Sequence, residues 1–388
     1  MSSREEVYLD YNATHPLLPR VVEAMKELLS HESEQLLGNA SSTHAAGRRS
    51  KKWINTLKLE LQNFLDAPIG EWIIYSGATE ALNAVLSTAL CEGWDILSSS
   101  VEHSAVYETL DCGSGNRQML PVSKLGRVDV SQVGAMIDAL GASDKPLLFS
   151  LQAHNNETGL CVGCPQVLKD LKALGEERGR EVLILLDGVQ SLGKADPKLM
   201  TELIGLSDYA VFSGHKMGAM MGVGALWRRS KKQVNSYPTG GGQERGLRAG
   251  TEAIWNVVSW VEAIRDWQAN GNSYREHMKA LKSELLESLS SISGLKIIDG
   301  MADPMTLPNT VAILATEKGA DFVLQKLDIE GVLVSGGSAC RSGVSKSSHV
   351  MKALGYNEDL AKGLIRISFG AMSQKSEIHK LVKTLREI

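Results

Sequence analysis

Two stretches decide the fold: Val182–Lys194, reading VLILLDGVQSLGK, and Asp208–Lys216, reading DYAVFSGHK. An apolar run from Val182 to Leu186 stops at a carboxylate, Asp187, and a second run, Tyr209 to Phe212, stops at Ser213-Gly214-His215-Lys216. Leucine-rich and β-branched runs of this length, bounded by polar residues and glycine, read as buried strands of a parallel sheet. Open α/β sheets bind ligands at the carboxyl ends of their strands. An acid and a lysine therefore reach the same rim.

Taken singly, Asp187 reads as a helix N-cap and Lys216 as a solvated surface lysine. Taken together they match the needs of pyridoxal phosphate, which is held on a lysine and whose ring nitrogen is kept protonated by an aspartate. A buried acid also asks for a cation opposite it, and the cofactor supplies one.

Working outward, Trp72–Tyr75 is a short strand followed at once by Ser76-Gly77-Ala78-Thr79-Glu80 and an apolar helix. Small residues there leave free N–H groups at the positive end of the helix dipole, a place for phosphate or a plain N-cap. Asp95–Ser99 delivers Glu102 and His103 to the rim, where an imidazole can stack on a pyridine ring and move protons. Leu147–Leu151 ends in His154-Asn155-Asn156-Glu157-Thr158-Gly159, whose amides suit a ring hydroxyl or a carboxylate. With Val223–Trp227 the pattern gives about seven strands alternating with helices, a doubly wound layer.

Gly240–Thr251, GGGQERGLRAGT, is glycine-rich and basic, fit for close approach to an anion or for a flexible hairpin. A helix follows whose Trp255, Trp260 and Trp267 lie near one stripe, read as core. From about residue 270 the order helix, strand (Leu295–Ile298), strand (Asn309–Leu314), helix, strand (Val332–Val334) reads as a smaller α+β domain. The next loop, Ser335–Gly343, is SGGSACRSG. Cys340 among small residues and beside Arg341 reads as an exposed thiol of lowered pKa. Arg366, in the strand LIRISF, offers a fork for a substrate carboxylate or an edge-strand salt bridge.

The chain has 388 residues and a formal net charge of -4, which points to neither nucleic acid nor an anionic membrane as the main partner. The opening MSSREEVYLDYN holds no apolar signal core, and no later run is long enough to span a bilayer, so a cytoplasmic location is expected. Five cysteines do not make a disulfide framework. Cys161 and Cys164 stand in C-x-x-C spacing with no second pair, so a redox or metal role is disfavoured. The pentapeptide RRSKK at residues 48–52 and again at 228–232 reads as a solvated face before it reads as a docking patch.

In register from about Tyr8 to the C-terminus, the stretches LDYNAT, SGATEALN, VEHSAV, NNETG, DGVQSLGK, SGHK, GGGQERGLRAGT, SGGSAC and IRISFG together resemble cysteine desulfurases of the NifS/IscS type. These are class V aminotransferase relatives among the fold-type I pyridoxal phosphate enzymes. The resemblance implies an α/β fold-type I transferase: a large domain over 15–255 with a mainly parallel seven-stranded sheet, and a small α+β domain from 1–14 and 256–388.

It further implies that Lys216 is the Schiff-base lysine, that Asp187 pairs with the pyridinium nitrogen and that His103 stacks on the ring. Gln190 would contact the ring hydroxyl; Ala78, Thr79, Ser213 and His215 would surround the phosphate, with Thr251 arriving from the second subunit of a homodimer. Asn156 would touch both cofactor and substrate, and with Arg366 would take the carboxylate of L-cysteine. Cys340 would accept the sulfur as a persulfide, release L-alanine, and pass the sulfur to an acceptor or scaffold protein in iron–sulfur cluster assembly or tRNA thiolation. A selenocysteine lyase or another class V aminotransferase-like enzyme is the alternative. Two departures stand out: Ala40 replaces the usual proline of the GNPSS loop, and MGAMMG follows Lys216 where a GPKG turn is common. The sequence ends at Ile388 without the extension that iron–sulfur-assembly members carry, which leaves the acceptor open.

Overall fold

A computed structural model describes residues 6–30, 36–112, 116–230, 232–337 and 347–388. Cys340 lies outside the described residues. Strands are numbered along the chain: β1 Val7–Tyr8, β2 Gly70–Tyr75, β3 Asp95–Ser99, β4 Arg117–Leu120, β5 Leu147–Gln152, β6 Val182–Asp187, β7 Tyr209–Ser213, β8 Gly224–Arg229, β9 Leu295–Ile297, β10 Thr310–Ala315, β11 Val332–Leu333 and β12 Leu364–Ser368.

The large sheet has the order β2-β8-β7-β6-β5-β3-β4. From β7 to β4 every pairing is parallel, and β8 alone runs against its neighbours β7 and β2. It is thus a mainly parallel seven-stranded sheet, as the apolar runs predict. Its two faces are separately covered. In β6, Ile184 and Leu186 join one apolar cluster while Leu183 and Leu185 join the other. A continuous apolar run is what period-two alternation requires when both faces are buried. Each such leucine contributes about 2 kcal/mol through burial.

In the large sheet the expected strands appear within a residue or two, and one more is found. β4, RQML, sits at the parallel edge beside β3, with Leu120 its one buried residue. An edge strand that buries a single side chain carries little apolar signal.

Near the C-terminus β12, β10 and β9 form a separate antiparallel sheet. The run at Val332–Val334 does not join it; β11 pairs instead with β1 at the start of the chain, in parallel. The helix Ile254–Leu289 links the two sheets over 36 residues. Trp260 and Trp267 are buried in the core as the stripe predicts, while Trp255 is partly buried.

Candidate active site

The carboxyl ends of β3, β5, β6 and β7 converge, and the residues just beyond them make the site. β7 ends at Ser213, and Gly214–Met217 form one tight turn that carries His215 and Lys216. The tryptophan helix fixes this turn from behind. Trp267 Nε1 donates to the Met217 carbonyl at 2.9 Å, and Trp260 Nε1 points at Met217 Sδ at 3.1 Å. Gly214 lies against the Trp260 ring, where an added Cβ would meet ring carbons at 3.0 Å. In the MGAMMG segment Gly218 takes φ 91°, a left-handed conformation that ends the turn without proline.

Lys216 Nζ donates to the carbonyls of Asn12, at 2.6 Å, and Ala13, at 2.7 Å. The LDYNAT segment is therefore the front wall of the site. Asn12 is itself held by Thr310 Oγ1 at 2.9 Å and by Asn309 Nδ2 at 3.0 Å, both at the start of β10. His215 Nδ1 meets Thr14 Oγ1 at 3.1 Å.

Asp187, at the end of β6, is buried and accepts a hydrogen bond from the Val189 amide at 3.0 Å. Burial raises its pKa to about 6, against the opposing pull of that amide and of Lys216. A carboxylate so placed is relieved by a cation. His103, after β3, accepts from the Ala105 amide at 3.1 Å. Burial, then the charges of Lys216 and His349, lower its pKa to about 4, so its ring is neutral at pH 7. Gln190 Nε2 donates to the Asn12 carbonyl at 3.0 Å, the atom that also receives Lys216.

The helix Ala78–Glu92 opens at Gly77, which is extended and makes no side-chain cap. Its first N–H groups are thus available to an anion. β8 passes close to this opening because residue 224 is glycine: a Cβ there would lie 2.4 Å from the Gly77 carbonyl carbon. Ala78 and Thr79 sit in the first turn. A buried carboxyl in need of a cation, a neutral imidazole, an amine and an uncapped helix end fit pyridoxal phosphate as a donor set.

Arg366, buried in β12, donates through Nη1 to the Asn156 carbonyl at 2.9 Å and through Nη2 to Asp10 Oδ1 at 2.6 Å. The edge-strand ion pair is therefore formed, and Nε is left buried with no partner among the described residues. Thr251 stands apart on an exposed loop; no hydrogen bond among the described residues joins it to this cluster. The Cys161 and Cys164 thiols are buried and unpaired, and burial pushes Cys161 up to about 12. Both side chains pack in the apolar core. Among the described residues no group of His, Cys, Asp and Glu could hold a metal.

Glu102, quoted in the sequence only as the neighbour of His103, is a buried carboxyl of the same rim. Its Oε1 accepts from Ser99 Oγ and the Gln152 amide at 2.5 and 2.8 Å, while Oε2 has no partner among the described residues. Burial raises its pKa to about 8, against those two donors. Between the ordinary value of 4.5 and about 8 the native chain keeps a proton that the unfolded chain has lost, so this residue makes stability fall as pH rises. Glu102→Gln removes that slope. In thermal melts of the apoprotein, the variant should gain about 2–4 °C on the parent between pH 5 and pH 8; a difference that does not change with pH would contradict the assignment.

The whole chain resembles known proteins in sequence and fold. The aminotransferase class-V family matches residues 7–381. The cysteine desulfurase IscS of Vibrio vulnificus is 31% identical over 396 residues, covering 98% of this chain and 92% of its own. That of Aeromonas salmonicida is 31% identical with the same coverage. The crystal structure of a NifS-like protein from Rickettsia africae superposes with a TM-score of 0.85 at 27% identity, over 99% of both chains. With the lysine, aspartate and histidine of the sequence motifs gathered on one strand-end rim, the chain belongs to the aminotransferase class-V family, pyridoxal phosphate enzymes of the fold shared with the NifS-like and IscS cysteine desulfurases.

Proposed function

We propose that the protein is a pyridoxal phosphate-dependent cysteine desulfurase, converting L-cysteine to L-alanine and leaving the sulfur as a persulfide on Cys340. The observation that carries this reading is the meeting of Lys216, Asp187 and neutral His103 at one rim, with Lys216 acting on the proton affinity of both others. When bound, pyridoxal phosphate supplies a cationic ring that takes up the electron pair freed at the substrate Cα.

The chain's residues do the rest. Lys216 would hold the cofactor and, once free, would move the Cα proton. Asp187 would keep the ring nitrogen protonated, and His103 would lie against the ring. Gln190 meets the ring hydroxyl. Ala78, Thr79, Ser213 and His215 would hold the phosphate, together with Thr251 of a second protomer. Asn156 and Arg366 orient the substrate carboxylate; for this Arg366 trades one of its present acceptors or uses Nε. The Cys340 thiolate attacks the substrate Sγ, forming an S–S bond while the Cβ–Sγ bond breaks, and Cβ takes a proton to become the methyl of alanine. A sulfur-acceptor protein then removes the outer sulfur.

Alanine release from L-cysteine by purified protein loaded with pyridoxal phosphate tests the reading. Asp187→Asn should lower kcat by about 10²-fold or more, since an amide cannot stabilise the ring's proton. An active parent beside an equally active Asp187→Asn variant would remove Asp187 from its role. No alanine from the loaded parent would sink the desulfurase reading itself.

A further inference from the structure

Lys194 ends the DGVQSLGK stretch and has no place in the reaction as described. It is 2% exposed. Its Nζ donates to Gln190 Oε1 at 2.9 Å, and it makes no ion pair among the described residues. The charged and titratable groups that face it are cationic or basic: Lys216 beyond β7, Arg366 on β12, His15 in the N-terminal segment, His154 beyond β5, and His215. Burial, then Lys216 and Arg366, hold its pKa well below the usual lysine value. A lysine sunk this deep without an acid is costly to keep, and its position is built. The preceding Gly193 takes φ 77° with Trp267 packed on it, and its carbonyl accepts from Arg275 Nη1 at 2.9 Å.

We propose that Lys194 is a positioning residue for Gln190: by occupying Oε1 it fixes the amide so that the NH2 edge alone faces the Asn12 carbonyl and the end of Lys216. A lysine amine donates whether charged or neutral, and the Asn12 carbonyl only accepts, so both ends of the amide are specified. One Nε2 hydrogen goes to Asn12. The other would be available to the ring oxygen of a bound cofactor. When cofactor-bound Lys216 loses its proton, negative charge is left on that oxygen, and a donor there favours the deprotonated form. Lys194 thus lowers, through Gln190, the pH at which the cofactor-bound lysine titrates. The inference rests on the pyridoxal phosphate reading of the site.

The test is a pH titration of the visible absorption of the loaded protein, with no substrate present. The parent, Lys194→Met, Gln190→Ala and the double variant are compared. Lys194→Met and Gln190→Ala should each raise the midpoint by about one pH unit, and the double variant should shift no further than either alone. Unmoved midpoints in the single variants, or shifts that simply add in the double variant, would overturn the proposal. If Lys194→Met does not fold, Gln190→Ala decides: a midpoint equal to the parent's rejects the path through Gln190. A parent that gains no pH-dependent visible absorption with pyridoxal phosphate instead overturns the cofactor reading, and the proposal with it.

Discussion

Lys216→Ala is expected to lower alanine release from L-cysteine by about 10³-fold or more, with the fold intact. Two functions leave with one side chain: the covalent anchor of the cofactor, and the base that moves the Cα proton, whose own contribution is typically about 10²–10⁴-fold. The structural loss is small by comparison. The amine's hydrogen bonds to the Asn12 and Ala13 carbonyls contribute about 1 kcal/mol each, and the carbonyls left behind can take water. The Gly214–Met217 turn keeps its tryptophan supports, so the backbone under the missing side chain stays in place. Cofactor content and alanine release, measured on the same preparations, separate these effects. Added small primary amines should restore part of the proton transfer. A variant within tenfold of the parent would mean that another group carries the chemistry.

The large sheet was legible because its strands are buried on both faces, so that VLILLD and YAVF read as apolar runs without reference to the rest of the chain. β4 was not, because an edge strand with one buried residue resembles a loop. The pairing of β11 with β1 was also hidden, since nothing local in VLV at residues 332–334 names a partner more than three hundred residues away. The site divides in the same way. Asp187, His103 and Lys216 stand where a strand end meets the rim, and side-chain chemistry at a predictable place can be read. The Asn12 carbonyl, which joins Lys216 to Gln190, could not, because every residue has a carbonyl and sequence does not say which one faces an amine. Glu102 and Lys194 lay inside quoted motifs, but burial without a counter-charge becomes visible only once the surrounding elements are placed. The tryptophan stripe was read as core, which holds for Trp260 and Trp267; that this core braces the Lys216 turn follows from the crossing of helix and sheet.

Cys340→Ala is expected to abolish persulfide formation and lower alanine release by roughly 10²-fold or more, equivalent to about 2.7 kcal/mol in the barrier, while cofactor content stays at the parent's level. Described residues on either side of the segment holding Cys340 lie near Glu157, in the loop beyond β5: Ser348 Oγ donates to Glu157 Oε2 at 2.5 Å, and a methyl added to Gly337 would lie 3.3 Å from that oxygen. Glu157 directly follows Asn156, whose carbonyl receives Arg366. Cys340 is three positions beyond Gly337, at most about 11 Å of extended chain. The other cysteines are worse placed. Cys161 and Cys164 are buried. Cys91 and Cys112 are exposed but sit at the far ends of the helices Ala78–Glu92 and Ser104–Cys112, about 20 and 12 Å along the axis from the rim. Mass spectrometry of parent protein treated with L-cysteine should therefore find the added sulfur on the peptide of Cys340 and not on those of Cys91 or Cys112. Full alanine release by Cys340→Ala would instead mean that sulfur leaves the substrate by direct elimination, with no protein thiol accepting it.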